Sequence, residues 1–471
     1  MTAASAPRDL HRLSLLEVAK LIERRVVSPL ELARQMLARI ESKDGDLHAY
    51  FTVTGDHALA EARAAESEIA AGRYRGPLHG VPIAVKDLFD TAGVRTTAGT
   101  RVMASRVPAR DATVVARLRA AGAVLLGKLA TTEGAYAEHH PDYAAPVNPW
   151  NAAAWTGVSS SGSGVATAAG LCFASLGSDT GGSIRFPSAM NGLVGIKPTY
   201  GRVPVTGVFP MAASLDHVGP MCRTVADAAL ILQTIAGRDE EDATSALTPV
   251  GDYTGAARTA SSGLAGLRIG VDRSALEGLD EEICGHFDAS LRTLATLGAQ
   301  LVDVRLPSIT EELTARWIVT CSAEMLVGHA EFFPSRADDY GPALRMFLEL
   351  ARTTSPDEYA RTHLLRLRFA GELARVFERI DAFACPTVGA RAPAGLSVLD
   401  PATLELWGKL SRFTSPFDFS GSPTISLPCG LLTDGVPASL QLVGRHFEET
   451  TLIRAAAAYE ATVAPFPMPV P

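Results

Sequence analysis

The first seventy residues alternate apolar and polar positions with a helical period. Leu32, Met36, Leu37 and Ile40 fall on one face of a 3.6-residue repeat. Ser14-Leu15-Leu16-Glu17 has the form of a capping box ahead of an apolar-periodic run. Ser28-Pro29-Leu30-Glu31 repeats the device with proline in the first helical position. A third helix is predicted over 56–71, and the three read as a layer packed outside a sheet. Beyond residue 80 the pattern changes to short unbroken apolar runs, at 81–85, 123–127, 172–176 and 193–196. Runs without alternation belong to strands covered on both faces. Helical stretches separate them: one capped at Asp111-Ala112-Thr113 and stopped at Gly122, a small-residue helix over 162–169, and one from 224 to 237.

Residues 238–262 are polar and rich in breakers, which predicts a surface connection. Strands at 267–271 and 300–304 flank a helix near 279–297. From 309 to 379 the period is helical again, and Trp317, Met325, Phe332, Phe333, Tyr340 and Phe347 lie in that stretch. Most of these serve a core and some line a pocket. Runs at 383–386, 424–427 and 439–442 close a sheet, and a helix over 449–460 ends the pattern. Strand and helix in alternation predict an α/β fold, a large mixed, mostly parallel twisted sheet covered on both sides by helices. The chain divides into N-terminal helices (1–75), a core carrying the chemistry (76–237), a helical and α/β elaboration (238–380) and C-terminal strands with a helix (381–471), all within one compact domain.

Composition narrows the class. The chain has 471 residues, 47% of them apolar, and a net charge of −8 with both signs dispersed. No basic block marks a nucleic-acid partner, and no apolar run is long enough for a membrane span. The start of the chain lacks the apolar core of a secretory signal. Six cysteines stand far apart without a CxxC pair, as expected of reduced, buried thiols in a cytoplasmic protein.

The chemistry concentrates in residues 157–188, GVSSSGSGVATAAGLCFASLGSDTGGSIRFPS. Gly181-Gly182 precedes Ser183, and bare glycine amides form an anion nest, the makeup of an oxyanion hole. The predicted donors are the backbone N–H groups of Thr180, Gly181, Gly182 and Ser183, and Ile184-Arg185-Phe186 has the makeup of a helix opening. A serine needs a base, and the stretch holds no histidine. The run Val81-Pro82-Ile83-Ala84-Val85-Lys86-Asp87 ends a strand in a lysine, which acts as a base once burial has stripped its charge. His139-His140 has no third ligand in evident spacing, so no metal is predicted and the pair is read as shaping a pocket mouth or capping a loop.

These motifs resemble the amidase signature family: V-P-I-A-V-K-D, the Gly/Ser-rich run, and D-T-G-G-S-I-R in that order. The likeness extends to Gly192-Leu193-Val194-Gly195-Ile196-Lys197-Pro198-Thr199 and Gly421-Ser422-Pro423. The resemblance implies a Ser–(cis-Ser)–Lys triad with Ser183 as nucleophile, Ser159 as relay and Lys86 as base, and with Asp179 and Arg185 bracing the turn. It implies no cofactor. Val158 and Ser161 stand where the family usually has glycine, which makes Ser160 a rival for the relay. A Ser–His–Asp arrangement using His217 is the competing triad, although the resemblance treats Ser214-Leu215-Asp216 as structural. The expected partner is a small amide or carbamate, as in aryl-acylamidase and urethanase-like members, with the chain a monomer or homodimer. The alternatives are a component of an amidotransferase that works on charged tRNA and a non-catalytic binder of the same fold.

Overall fold

The computed structural model describes residues 9–470. Among them, eleven strands form one sheet: β1 (Tyr50–Val53), β2 (Pro82–Lys86), β3 (Val124–Leu129), β4 (Ala174–Asp179), β5 (Val194–Lys197), β6 (His217–Cys222), β7 (Arg268–Val271), β8 (Gln300–Asp303), β9 (Ala382–Pro386), β10 (Thr424–Leu431) and β11 (Pro437–Gly444). Their order is β1-β3-β2-β4-β6-β5-β10-β11-β9-β7-β8. Every residue of β2 to β6, β9 and β11 is buried, which is why those runs show no alternation.

The sheet is mixed, but "mostly parallel" does not describe it. Parallel pairing joins β2 to β3 and β4, and β7 to β8 and β9. The middle, from β4 through β6, β5, β10 and β11 to β9, is antiparallel throughout, as is the β1–β3 edge. The alternation rule holds only where a helix carries the chain back across the sheet, and here β10 and β11 are joined by a tight turn instead. Strand β6 escapes the sequence pattern because Gly219 and Pro220 interrupt it. A Cβ at Gly219 would stand 2.0 Å from the Ile196 carbonyl oxygen, so close backbone approach demands the glycine.

Most predicted helices form. Ser14 and Glu17 make the reciprocal capping box at Leu15–Glu23. At Pro29–Leu47 only half of the device operates, Ser28 accepting from the Glu31 amide. Asp111 does not cap the helix Thr113–Ala120; its carboxylate pairs with Arg119 and takes the Ala92 amide. The stretch 238–262 is not wholly a loop, since Asp252 caps the helix Tyr253–Arg258. In the 309–379 stretch Met325, Phe333, Tyr340 and Phe347 are buried, as expected of core, while Trp317 and Phe332 are half-buried. All six cysteines are free, four of them buried. No helix among the described residues is long and apolar enough to cross a membrane.

Candidate active site

Strand β2 ends in Lys86, a lysine with no solvent exposure. Its Nζ donates to Ser159 Oγ at 2.6 Å and to Ser178 Oγ at 2.9 Å. Burial disfavours the ammonium and pulls the group from 10.5 to about 7, against the opposing pull of Asp216 and Asp179. A large fraction of Lys86 is therefore neutral near physiological pH, with a lone pair to accept a proton.

Ser159 sits after a cis peptide bond from Val158. Gly157 before it has φ +78°, and a Cβ there would meet the Pro187 nitrogen at 2.5 Å, so only glycine fits. Ser160 is otherwise occupied: its hydroxyl donates to the Ser178 carbonyl and accepts the Ser178 amide. The lysine therefore meets Ser159 and not its rival. The two unusual residues are accommodated. Val158 packs with Trp155 and Phe186, and Ser161 opens the helix Ser161–Ala168 with its hydroxyl 3.0 Å from His139 Nε2.

Asp179 ends β4 and organises the turn that follows. Its carboxylate accepts from the amides of Gly182 (2.7 Å), Ile184 (3.0 Å) and Arg185 (3.2 Å). It also takes the Arg185 guanidinium at 2.9 Å, and Arg185 reaches on to Asp418 at 2.6 Å. Burial alone would raise Asp179, but the Arg185 charge and hydrogen bonds hold it well below the usual carboxylate range. Gly182, expected as an oxyanion donor, spends its N–H on Asp179. Among the described residues the amides of Thr180, Gly181 and Ser183 meet no acceptor. Ser183 is 8% exposed in a segment otherwise sealed, and the Ser160 amide donates to its carbonyl at 3.4 Å, placing the turn beside the cis-serine segment. The structure thus joins Lys86 to Ser159 directly and sets Ser183 in the adjoining turn; no hydrogen bond links the Ser159 and Ser183 hydroxyls.

The histidine alternative does not assemble. His217 turns Nδ1 to the Leu215 carbonyl at 2.6 Å and Nε2 to Lys197 at 3.3 Å, and no serine meets it among the described residues. His140 accepts the Asp142 amide. Four residues that serve the site were not assigned to it from the sequence: Ser178, Asp216, Trp317 and Asp418. Asp216 accepts from Thr180 Oγ1 at 2.6 Å, and the Trp317 indole donates to the Thr180 carbonyl at 2.9 Å. A groove of about 610 Å³ beside Leu373, Phe377 and His446 is lined by none of Lys86, Ser159 and Ser183.

Comparison with known proteins covers this whole assembly: a family model for amidases matches residues 31–453. The chain belongs to the amidase signature family. The amidase is 46% identical over 454 residues to the AmiD protein of Mycobacterium tuberculosis, itself named as an amidase, with 95% of this chain and 94% of that one covered. It is 41% identical over 490 residues to one component of the glutamyl-tRNA(Gln) amidotransferase of Anaeromyxobacter dehalogenans, covering 98% of each. A bacterial aryl acylamidase of the same family superposes with a TM-score of 0.86 at 25% identity over 96% of each chain. The amidase is an amidohydrolase, an enzyme that hydrolyses the C–N bonds of amides.

Proposed function

We propose that this amidase hydrolyses small, uncharged aryl amides and carbamates through Ser183, Ser159 and Lys86. The observation that carries the reading is the 2.6 Å bond from a buried, largely neutral Lys86 to Ser159. Lys86 takes the Ser159 proton as Ser159 takes that of Ser183, and Ser183 Oγ adds to the substrate carbonyl. The free amides of the Thr180–Ser183 turn meet the developing oxyanion. The proton then passes back through Ser159 to the leaving nitrogen. Water, activated along the same path in reverse, frees the acyl group from Ser183. With a carbamate ester the proton passes instead to the ester oxygen, so the alcohol leaves first and Ser183 keeps a carbamoyl group; water then releases carbamic acid, which breaks down to an amine and CO₂.

The substrate class is supported by what touches the turn. Trp317 lies against Gly181 and Phe186 against Gly182, with Trp155 behind Phe186. Aromatic walls favour aryl groups over the charged ends of an amino acid. The test is turnover of a nitroanilide and a nitrophenyl carbamate by the purified chain, with Ser183→Ala as control. Turnover by the parent and none by the variant supports the reading; undiminished turnover by the variant ends it. The second reading, one component of a glutamine-dependent amidotransferase, draws on the identity to such proteins. It is favoured if ammonia leaves glutamine only when partner proteins are supplied.

A further inference from the structure

Thr180 carries the chain from β4 into the Gly-Gly-Ser turn. Its carbonyl accepts the indole N–H of Trp317, the first residue of the helix Trp317–Gly328, at 2.9 Å. The Thr180–Gly181 peptide bond is not among the cis bonds of the chain. A trans peptide unit is planar, with its C=O and N–H pointing in opposite directions. Whatever fixes the Thr180 oxygen therefore fixes the direction of the Gly181 N–H, one of the amides left without an acceptor. We propose that Trp317 is a positioning residue for amide hydrolysis: by holding the Thr180 carbonyl it aims the Gly181 N–H at the substrate oxygen on which negative charge develops. The inference rests on the reading of Ser183 as nucleophile.

The surroundings of Trp317 suit this role. A Cβ at Gly181 would stand 2.7 Å from the indole Nε1 and 2.8 Å from Cε2, so the ring is seated on the turn's backbone and glycine is what lets it settle there. The ring is steadied from behind by Phe347, 6.3 Å away at 29°, which stacks on Tyr136 at 4.0 Å and 19°. The other end of Thr180 is tied down by Asp216 at 2.6 Å. The next peptide unit is committed elsewhere, with the Gly181 carbonyl 3.4 Å from Ser415 Oγ and the Gly182 N–H on Asp179. Within the turn, the Gly181 donor is thus the one whose aim the indole sets. A Trp that served only as a wall of the pocket would act through its ring and be indifferent to the loss of its N–H.

The experiment separates ring from N–H. Trp317→Phe keeps an aromatic ring and removes the donor. Incorporation of 3-benzothienylalanine at 317 keeps the bicyclic shape and replaces N–H by sulfur, which decides the matter if the Phe variant folds poorly. With the donor gone, kcat is expected to fall about 10- to 100-fold on anilide and carbamate alike, less than for outright loss of an oxyanion donor, with KM little changed. Affinity for an arylboronic acid, whose serine adduct places a charged oxygen in the turn, is expected to weaken by the same factor. An unchanged kcat in the benzothienyl protein, or a loss confined to KM, would overturn the proposal. Ser183→Ala run alongside keeps the two readings apart: if it abolishes turnover while the benzothienyl protein is unaffected, only the role of Trp317 falls; if it retains turnover, the assignment of the nucleophile falls with it.

Discussion

Replacing Lys86 by methionine tests whether the lysine is held in its uncharged form. In the folded protein the group titrates at about 7, against 10.5 for an ordinary lysine. Because the folded value is the lower, the unfolded chain binds more protons between these two values, and stability must rise with pH across that window. Below pH 7 the folded state carries the whole cost. At pH 7 the difference amounts to about 4 kcal/mol, and at pH 10 it has shrunk to about 1 kcal/mol. Methionine removes this cost but leaves Ser159 and Ser178 without their shared donor, a loss of about 1–3 kcal/mol. The variant is therefore expected to be the more stable chain at pH 7 and the less stable at pH 10, with no anilide turnover at either. The assay is chemical denaturation of both proteins at the two pH values. A stability difference that does not change with pH would refute the reasoning, since it would mean that Lys86 keeps its proton on folding.

Two other outcomes follow from the same geometry. The rate kcat/KM is expected to climb through about pH 7 as Lys86 loses its proton, and Asp216→Asn, which removes the largest charge holding that value up, is expected to move the inflection to lower pH; a pH–rate profile of both proteins checks it, and an inflection unmoved or displaced upward would contradict it. Ser159→Ala, which takes a partner from the buried Lys86 amine, and Ser160→Ala, which loses two buried bonds to Ser178, are each expected to cost about 1–3 kcal/mol, but only Ser159→Ala is expected to abolish turnover while Ser160→Ala retains a measurable rate. Denaturation midpoints and rates measured on the pair would expose an exchange of roles.

The candidate site was legible because the residues proposed for it are of types that stand out: a lysine closing an apolar run, a serine behind two glycines, an aspartate and an arginine flanking them. Ser178 was hidden because the apolar run stops at Leu176. Gly177, Ser178 and Asp179 are poor strand formers, yet the strand continues through them because β6 pairs with all three, while the Ser160 hydroxyl takes the Ser178 backbone groups and Lys86 bonds its hydroxyl. Asp216, Trp317 and Asp418 could not be read locally, since each reaches the turn from a distant part of the chain. The antiparallel centre of the sheet was missed for the same kind of reason. Its β6 contains a glycine and a proline that deny it a strand pattern, and only the proximity of the Ile196 backbone explains the glycine.

The bond from Arg185 to Asp418 spans 233 positions of sequence. During synthesis the ribosome therefore delivers the lysine and both serines long before the clasp that secures the turn between them. A nascent polypeptide short of Asp418 can already bond Arg185 to Asp179, yet that guanidinium waits for its second carboxylate until the later residue has emerged.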